Sequence, residues 1–100
     1  MGKLVLNDGL TLFSKVVANT TATINPSSLV DGAGEDSSAI TVTGAVFGDL
    51  VIVTAPYDSQ GLLIQGRVSA ADTIKIRFQN ETGATVDLAS GAYKILVIRF

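Results

Sequence analysis

The alternation of apolar and polar residues is clearest in the C-terminal half of the chain. Over residues 73–79 every second side chain is apolar, namely Ile74, Ile76 and Phe78. A period of two predicts a β-strand with one face on a core and the other in water. The run 94–99 is apolar on both faces until Arg99. We therefore expect that strand to be covered on both sides, by its own domain or by a partner.

Turn signals rich in Gly, Pro, Asp and Ser recur along the chain and separate short runs that are rich in Val, Ile and Thr. Strand-length runs with turns about every 8–12 residues are typical of a sandwich or barrel. No segment of the sequence has a sustained helical period. The pattern predicts an all-β protein, a single small β-sandwich, jelly-roll or immunoglobulin-like, with about seven or eight antiparallel strands. The predicted strands are residues 16–25, 39–43, 50–55, 62–68, 73–79, 85–88 and 92–99.

Two local features modify this picture. Gly66 interrupts an apolar run, and a glycine inside a strand indicates a bulge or a closely approaching neighbour. Residues 1–15 are predicted as a separate element in front of a domain at 16–100. The turn signal Asn7-Asp8-Gly9 would close an edge hairpin of the same domain, or the segment forms an extended arm that adds to a neighbour's sheet. An arm would present Leu4, Leu6, Leu10, Leu12 and Phe13.

The composition is unusually apolar for so small a domain. Of the 100 residues, 47% are apolar and 16% are charged, and the mean hydropathy is positive, whereas about 25% charged is typical. Large exposed apolar surfaces usually mark interaction sites. We therefore expect contacts with other chains through the N-terminal segment and through the closing strand, where the candidates are Ile95, Val97 and Phe100.

The net charge and the lengths of the apolar runs argue against nucleic acid and membranes as partners. The net charge is −2, and the scattered Lys and Arg residues form no basic stripe that would bind nucleic acid. No run approaches the roughly 20 apolar residues that span a bilayer. The N-terminus becomes polar too soon for a signal peptide, so export is not expected. Neither nucleic acid nor a membrane is predicted as a partner.

Catalytic chemistry has little support in the sequence. The chain has no cysteine and no histidine, two residue types on which catalysis most often depends. Asp31, Glu35 and Asp36 do not match the spacing of the EF-hand calcium loop. The glycine-rich segment 32–37 is not followed by the helix of a phosphate loop. We predict no catalytic residues, no metal site and no cofactor; the protein is not expected to be an enzyme.

Two surface features have alternative interpretations. Lys75 and Arg77 lie on the polar face of their predicted strand. They are expected to pair with a carboxylate, such as Asp87 or Glu81, or to meet an acidic surface of a partner. Tyr57, in a long loop, is a candidate for stacking on a sugar or a protein; alternatively it folds back on its own loop.

Over about residues 18–99 the chain resembles a recurrent small β-module. This module is found among the structural proteins of tailed bacteriophages, including capsid decoration (cement) proteins. The resemblance rests on the sequences of the turns and on the spacing of the strands, and residues 1–15 fall outside it. The segments that carry it, before a closing strand, are 18–29, 40–51, 66–83 and 86–91.

The resemblance implies a β-sandwich that is made in the host cytoplasm and displayed on the outer surface of the virion. There it would bind the major capsid protein and associate with itself, commonly as a homotrimer. It would stabilise the assembled head by bridging capsid subunits, which is stabilisation by mass action and involves no reaction. The alternative is a tail, fibre or host-recognition module that contacts a glycan or a protein receptor.

Overall fold

The computed structural model describes residues 2–5 and 11–100, and all regular structure in those residues is β-strand. Within the same ranges there is no helix with the length and apolarity needed to cross a membrane. The predicted all-β class is confirmed. The strands are β1 (Leu4–Val5), β2 (Thr11–Phe13), β3 (Lys15–Ile24), β4 (Gly34–Asp36), β5 (Ile40–Thr41), β6 (Leu50–Thr54), β7 (Leu63–Ala70), β8 (Thr73–Gln79) and β9 (Gly91–Arg99).

The strands form two antiparallel sheets and a separate hairpin. The first sheet has the order β3–β9–β6. In the second sheet, β8 pairs with β7 along one edge and with the short strands β4 and β5, one after the other, along the opposite edge. Strands β1 and β2 pair only with each other. The architecture is that of a small β-sandwich with an N-terminal hairpin.

The core lies between the two sheets, and the central strand of each supplies its largest side chains. Ile74, Ile76 and Phe78 of β8 are fully buried, as their alternation predicts. Tyr93 of β9 is also fully buried, and its ring meets the edge of the Phe78 ring with centroids 5.8 Å apart. The inner face of β9 is therefore covered by the protein's own second sheet.

The two sheets approach each other most closely where β6 faces β7. A Cβ on Gly66 would lie 2.9 Å from Cγ2 of Val53 and would also collide with Val51. Of the two interpretations of this glycine, the structure shows the close neighbour. The register irregularity of β7 lies further along the strand, between Val68 and Ala70.

Two segments differ from the prediction. Gly34–Asp36, which lies outside the predicted strands, forms β4, because it pairs in register with Arg77 to Gln79 of β8. Segment 85–88, predicted as a strand, contributes only an isolated bridge between Leu29 and Val86.

The turn before that bridge is organised by a buried amide side chain. Asn80 is fully buried. Its Nδ2 donates to the carbonyl oxygens of Leu29 and Ala84, both at 2.8 Å. Its Oδ1 accepts from the amide and the hydroxyl of Thr82, at 2.9 and 2.8 Å. Because every hydrogen-bonding position of Asn80 is used, this side chain fixes the path of the loop where a regular strand is absent.

Candidate functional site

One end of the molecule carries most of the large apolar side chains that the described residues expose. Ten such side chains are exposed, and seven of them lie at this end, which we call the apolar pole. Phe47 and Phe100 are the most exposed, at 73% and 69%. The pole consists of Leu4, Val5, Leu12, Val46, Phe47, Leu50 and Phe100.

The N-terminal hairpin is attached to this end by backbone hydrogen bonds. Between β1 and β2, Leu4 lies opposite Phe13. The amide of Ser14 donates to the carbonyl of Arg99 at 2.7 Å, and the amide of Val16 donates to the carbonyl of Gly2 at 3.1 Å. The segment is a hairpin that lies beside the end of β9. Its apolar side chains Leu4, Val5 and Leu12 are exposed.

An ion pair holds the remaining parts of the pole together. Nε of Arg99 donates to Oδ1 of Asp49 at 2.8 Å, and Nη2 donates to Oδ2 at 2.9 Å. The same Nη2 donates to the carbonyl of Gly44, and the amide of Val46 donates to Asp49. The Asp49 side chain is only 1% exposed. The pair therefore fixes the loop that carries Phe47 against the end of β9.

The electrostatics of this pair follow from its geometry. The hydrogen bonds from Arg99 lower the pKa of Asp49 below its ordinary value, and the amide of Val46 lowers it further. The reciprocal hydrogen bond to Asp49 raises the pKa of Arg99. Both groups stay ionised at neutral pH, and the carboxylate is hidden from the surface. The apolar pole is consequently not interrupted by an exposed Asp49 charge.

The apolar surface continues onto the outer face of the first sheet. Leu50 and Ile52 of β6 lie opposite Ile98 and Leu96 of β9. Leu50 and Ile52 are each 42% exposed. The next pair along the sheet is polar, since Thr54 lies opposite Lys94. The apolar area therefore runs from the pole to about the middle of the sheet.

The structure separates the predicted interaction residues into three groups. Leu4, Leu12 and Phe100 are exposed at the pole, and Phe13 is half-buried there. Leu6 and Leu10 lie outside the described residues. Ile95 and Val97 are 1% and 0% exposed in the domain's own core.

The assignment of Ile95 and Val97 as contact residues is therefore corrected. Both faces of their strand are apolar in sequence, so the alternation alone did not show which face would be inside. The alternate residues Leu96 and Ile98 take the outer face, where Leu96 is half-buried and Ile98 is 7% exposed.

Sequence reasoning missed the loop that carries Val46 and Phe47. The segment lies between the predicted strands 39–43 and 50–55, where Gly48-Asp49 is a strong turn signal. Because loops run over the protein surface, a phenylalanine beside a turn signal was the available indication.

The second sheet carries a separate group of charges on its outer face. Arg67 donates to both oxygens of Asp36, at 3.0 and 2.9 Å, and Arg77 lies 3.8 Å from the same carboxylate. The hydrogen bond from Arg67 lowers the pKa of Asp36. Arg77 thus lies against Asp36 and not against the expected Asp87 or Glu81, because β4 places Asp36 opposite it. Solvent-exposed pairs of this kind contribute little to stability.

Tyr57 folds back on its own domain. Its hydroxyl lies 2.7 Å from the hydroxyl of Tyr93 and donates to the carbonyl of Ala89. The two tyrosine rings meet edge to face, with centroids 5.8 Å apart. Burial raises the pKa of Tyr93, and the hydrogen bond with Tyr57 adds to this. Of the two interpretations of Tyr57, the structure shows the one in which the side chain folds back on its own domain.

A polar cavity of about 330 Å³ lies between the end of β3 and β4. Two of its polar side chains are engaged by the fold: Oε1 of Glu35 accepts from the amide of Ser27 at 2.6 Å, and the Ser37 hydroxyl accepts from the amide of Ile76. In the part of the chain that the structure describes, no three acidic side chains come together as metal ligands. The apolar pole is therefore the candidate functional site.

No protein-family model, curated protein or solved structure is significantly similar to this chain.

Proposed function

We propose that the protein is a capsid decoration protein of a tailed bacteriophage, which binds the outside of the assembled head through the apolar pole. The observation that carries the proposal is the concentration of seven exposed apolar side chains at one end of the molecule. The resemblance over residues 18–99 supplies the class of partner, which is the major capsid protein. Self-association as a homotrimer on the shell belongs to the same proposal.

The size of the apolar pole suits a specific contact with a protein. Its exposed side chains amount to roughly 500 Å², taking about 200 Å² for a whole phenylalanine and about 100 Å² for an aliphatic side chain. A standard interface buries about 800 Å² per partner, of which about 450 Å² is apolar. The pole alone therefore supplies the apolar part of one side of such an interface.

The construction of the pole favours docking onto a surface that is already formed. The loop with Phe47 and the terminus with Phe100 are fixed relative to each other by the pair between Arg99 and Asp49. Such preorganisation reduces the ordering entropy that is lost on binding. Many copies bound to an assembled shell and not to free subunits would stabilise that shell by mass action.

Binding to isolated heads tests the proposal. Heads that lack the protein are mixed with the purified protein and sedimented, and the bound fraction is measured against concentration. The wild type should saturate the heads, and Phe47→Asp should weaken binding by about tenfold or more because it places a charge in a buried contact. The copy number in native particles, measured by quantitative mass spectrometry, should be comparable to that of the shell protein.

A matched control comes from the opposite end of the molecule. Leu63 is 62% exposed on β7 and does not belong to the pole, so Leu63→Asp should bind like the wild type. The proposal is wrong if the wild type does not bind heads or if Phe47→Asp binds as tightly. A handful of copies per particle would instead favour the tail or fibre alternative.

A further inference from the structure

The loop that carries Phe47 contains two consecutive turns, residues 42–45 and 46–49. In each turn the amide of the fourth residue donates to the carbonyl of the first, at 3.1 and 3.2 Å respectively. The third residue of each turn is a glycine with a positive φ, 93° at Gly44 and 97° at Gly48, as in a type II turn. Phe47 is the second residue of the second turn and is 73% exposed. Its exposure therefore belongs to a loop whose backbone is hydrogen-bonded throughout both turns.

The peptide groups on either side of Gly44 connect this loop to both sheets. The carbonyl of Gly44 accepts from Nη2 of Arg99 at 2.9 Å, at the end of β9 in the first sheet. The amide of Gly44 donates to Oδ1 of Asp72 at 2.7 Å. Asp72 belongs to the two-residue turn between β7 and β8 of the second sheet. The loop is therefore held between Arg99 on one side and Asp72 on the other.

Asp72 also binds the loop through its backbone. Its amide donates to the carbonyl of Ala45 at 2.9 Å, and its carbonyl accepts from the amide of Val42 at 2.8 Å. Ala45 is fully buried. Any residue at this position would make these two backbone bonds. Only the bond from Gly44 requires the carboxylate of Asp72.

The backbone conformation of Asp72 makes its side chain informative. Its φ is +58°, a left-handed conformation that glycine adopts without strain and that Asp and Asn tolerate better than most other residues. The turn between β7 and β8 would therefore form as well with a glycine. What the aspartate adds to the turn is the hydrogen bond to the loop of the apolar pole.

We infer that Asp72 is a positioning residue for the proposed contact: its carboxylate holds the first turn of the loop and thereby fixes Phe47 in the orientation that binds. The inference rests on the proposed function for the identity of the contact. A large aromatic side chain that is held in one place before binding is typical of an interface hot spot, which fills a pocket of the partner. Ordering the loop in advance reduces the entropy that is lost on binding.

The substitution Asp72→Gly isolates the carboxylate, because glycine accepts the backbone conformation and keeps both backbone bonds. The first readout is the backbone order parameter of the Phe47 amide, measured by ¹⁵N relaxation on the free protein. It should fall from about 0.85 in the wild type to below about 0.6 in Asp72→Gly. Asp72→Asn keeps an oxygen acceptor for the amide of Gly44 and should retain the order of the wild type.

The second readout is the affinity for isolated heads. Asp72→Gly should weaken binding by about tenfold, because the loop must then be ordered on binding, and Asp72→Asn should bind like the wild type. Phe47→Ala should weaken binding by about thirtyfold or more, as expected of a hot spot. In the Phe47→Ala background, Asp72→Gly should cause almost no further loss, since its effect acts through the ring.

A matched control removes a similar hydrogen bond at the opposite end of the molecule. Oδ1 of Asp58 accepts from the amide of Gln60 at 2.9 Å, in the loop before β7. Asp58→Gly is thus the same substitution at a carboxylate that also binds a loop amide. It should leave both the order parameter of Phe47 and the affinity for heads unchanged.

Three results would overturn the inference. The first is an Asp72→Gly protein in which the amide of Phe47 is as ordered as in the wild type. The second is a loss of binding in Asp72→Gly that simply adds to the loss in Phe47→Ala. The third is an Asp72→Asn protein that behaves like Asp72→Gly. The relaxation measurement uses no heads, so a failure of this inference is distinguishable from a wild type that does not bind heads, which would contradict the proposed function.

Discussion

The contact between Gly66 and the facing strand gives the sharpest prediction about the fold. A methyl group at Gly66 would meet the branched side chains of Val51 and Val53, the latter at 2.9 Å. Val51 is buried in the core and cannot swing away without disturbing its neighbours. The substitution Gly66→Ala should therefore force the two sheets apart or force these side chains off their rotamers.

The magnitude follows from two opposing effects. Overpacking a well-filled core costs about 1–3 kcal/mol, and replacing a strand glycine by alanine returns about 0.5–1 kcal/mol of conformational entropy. We expect a net loss of about 1–2 kcal/mol in the free energy of unfolding. For a domain of this size, each kcal/mol lowers the melting temperature by about 4–8 °C.

The assay is chemical denaturation together with calorimetry, and the chain offers a matched control. Gly34 also lies in a strand, but there a Cβ would meet the flexible ends of Gln79 and Arg77, so Gly34→Ala should be nearly neutral. Val51→Ala should cost less in the Gly66→Ala background than in the wild type, by about 1 kcal/mol. If Gly66→Ala is as stable as the wild type, or if the two changes are simply additive, the argument from close approach is refuted.

Three further outcomes are expected from the buried polar groups. Asn80→Leu should lower the free energy of unfolding by about 3 kcal/mol, because the amide of Thr82 loses its partner and the carbonyls of Leu29 and Ala84 each lose one hydrogen bond; a loss below about 1 kcal/mol in urea denaturation would contradict the role assigned to Asn80. The hydrogen bonds from Arg99 hold the pKa of Asp49 below the value of 3.8 expected in the unfolded chain. The stability from this pair is therefore complete above pH 3.8 and is lost as the pH falls through the lowered pKa. Melting curves should show Asp49→Asn approaching the wild type only at acidic pH, and a gap that stays constant with pH would be inconsistent with this. Tyr57→Phe leaves the buried hydroxyl of Tyr93 without this partner and should cost about 1–3 kcal/mol, while an unchanged melting temperature would show that the pair adds no stability.

Much of the fold was predictable because strand formation leaves a local signature. The period of two over residues 73–79 predicted β8 with its bounds and its buried face, since alternate side chains of a strand necessarily face opposite sides. The turn signals predicted the all-β class because they separate the chain into runs of strand length. Gly66 was predicted to mark either a bulge or a closely approaching neighbour, and the sequence did not decide between the two.

The tertiary structure decided what depends on partners that are distant in sequence. Gly34–Asp36 becomes β4 because β8 offers it an edge, and residues 85–88 stay irregular apart from one bridge. The chain becomes a strand only where backbone groups find partners, and local propensity does not determine those partners.

The candidate site depends on such distant contacts in the same way. In β9 both faces are apolar, so only packing against the second sheet decided that Ile95 is inside and Leu96 outside. The apolar pole exists because Arg99 reaches Asp49, fifty residues away, and brings together segments that have no relation in the sequence. A hydrophobic pattern reports which side of an element avoids water, whereas the surface formed by several elements depends on how the whole chain is folded.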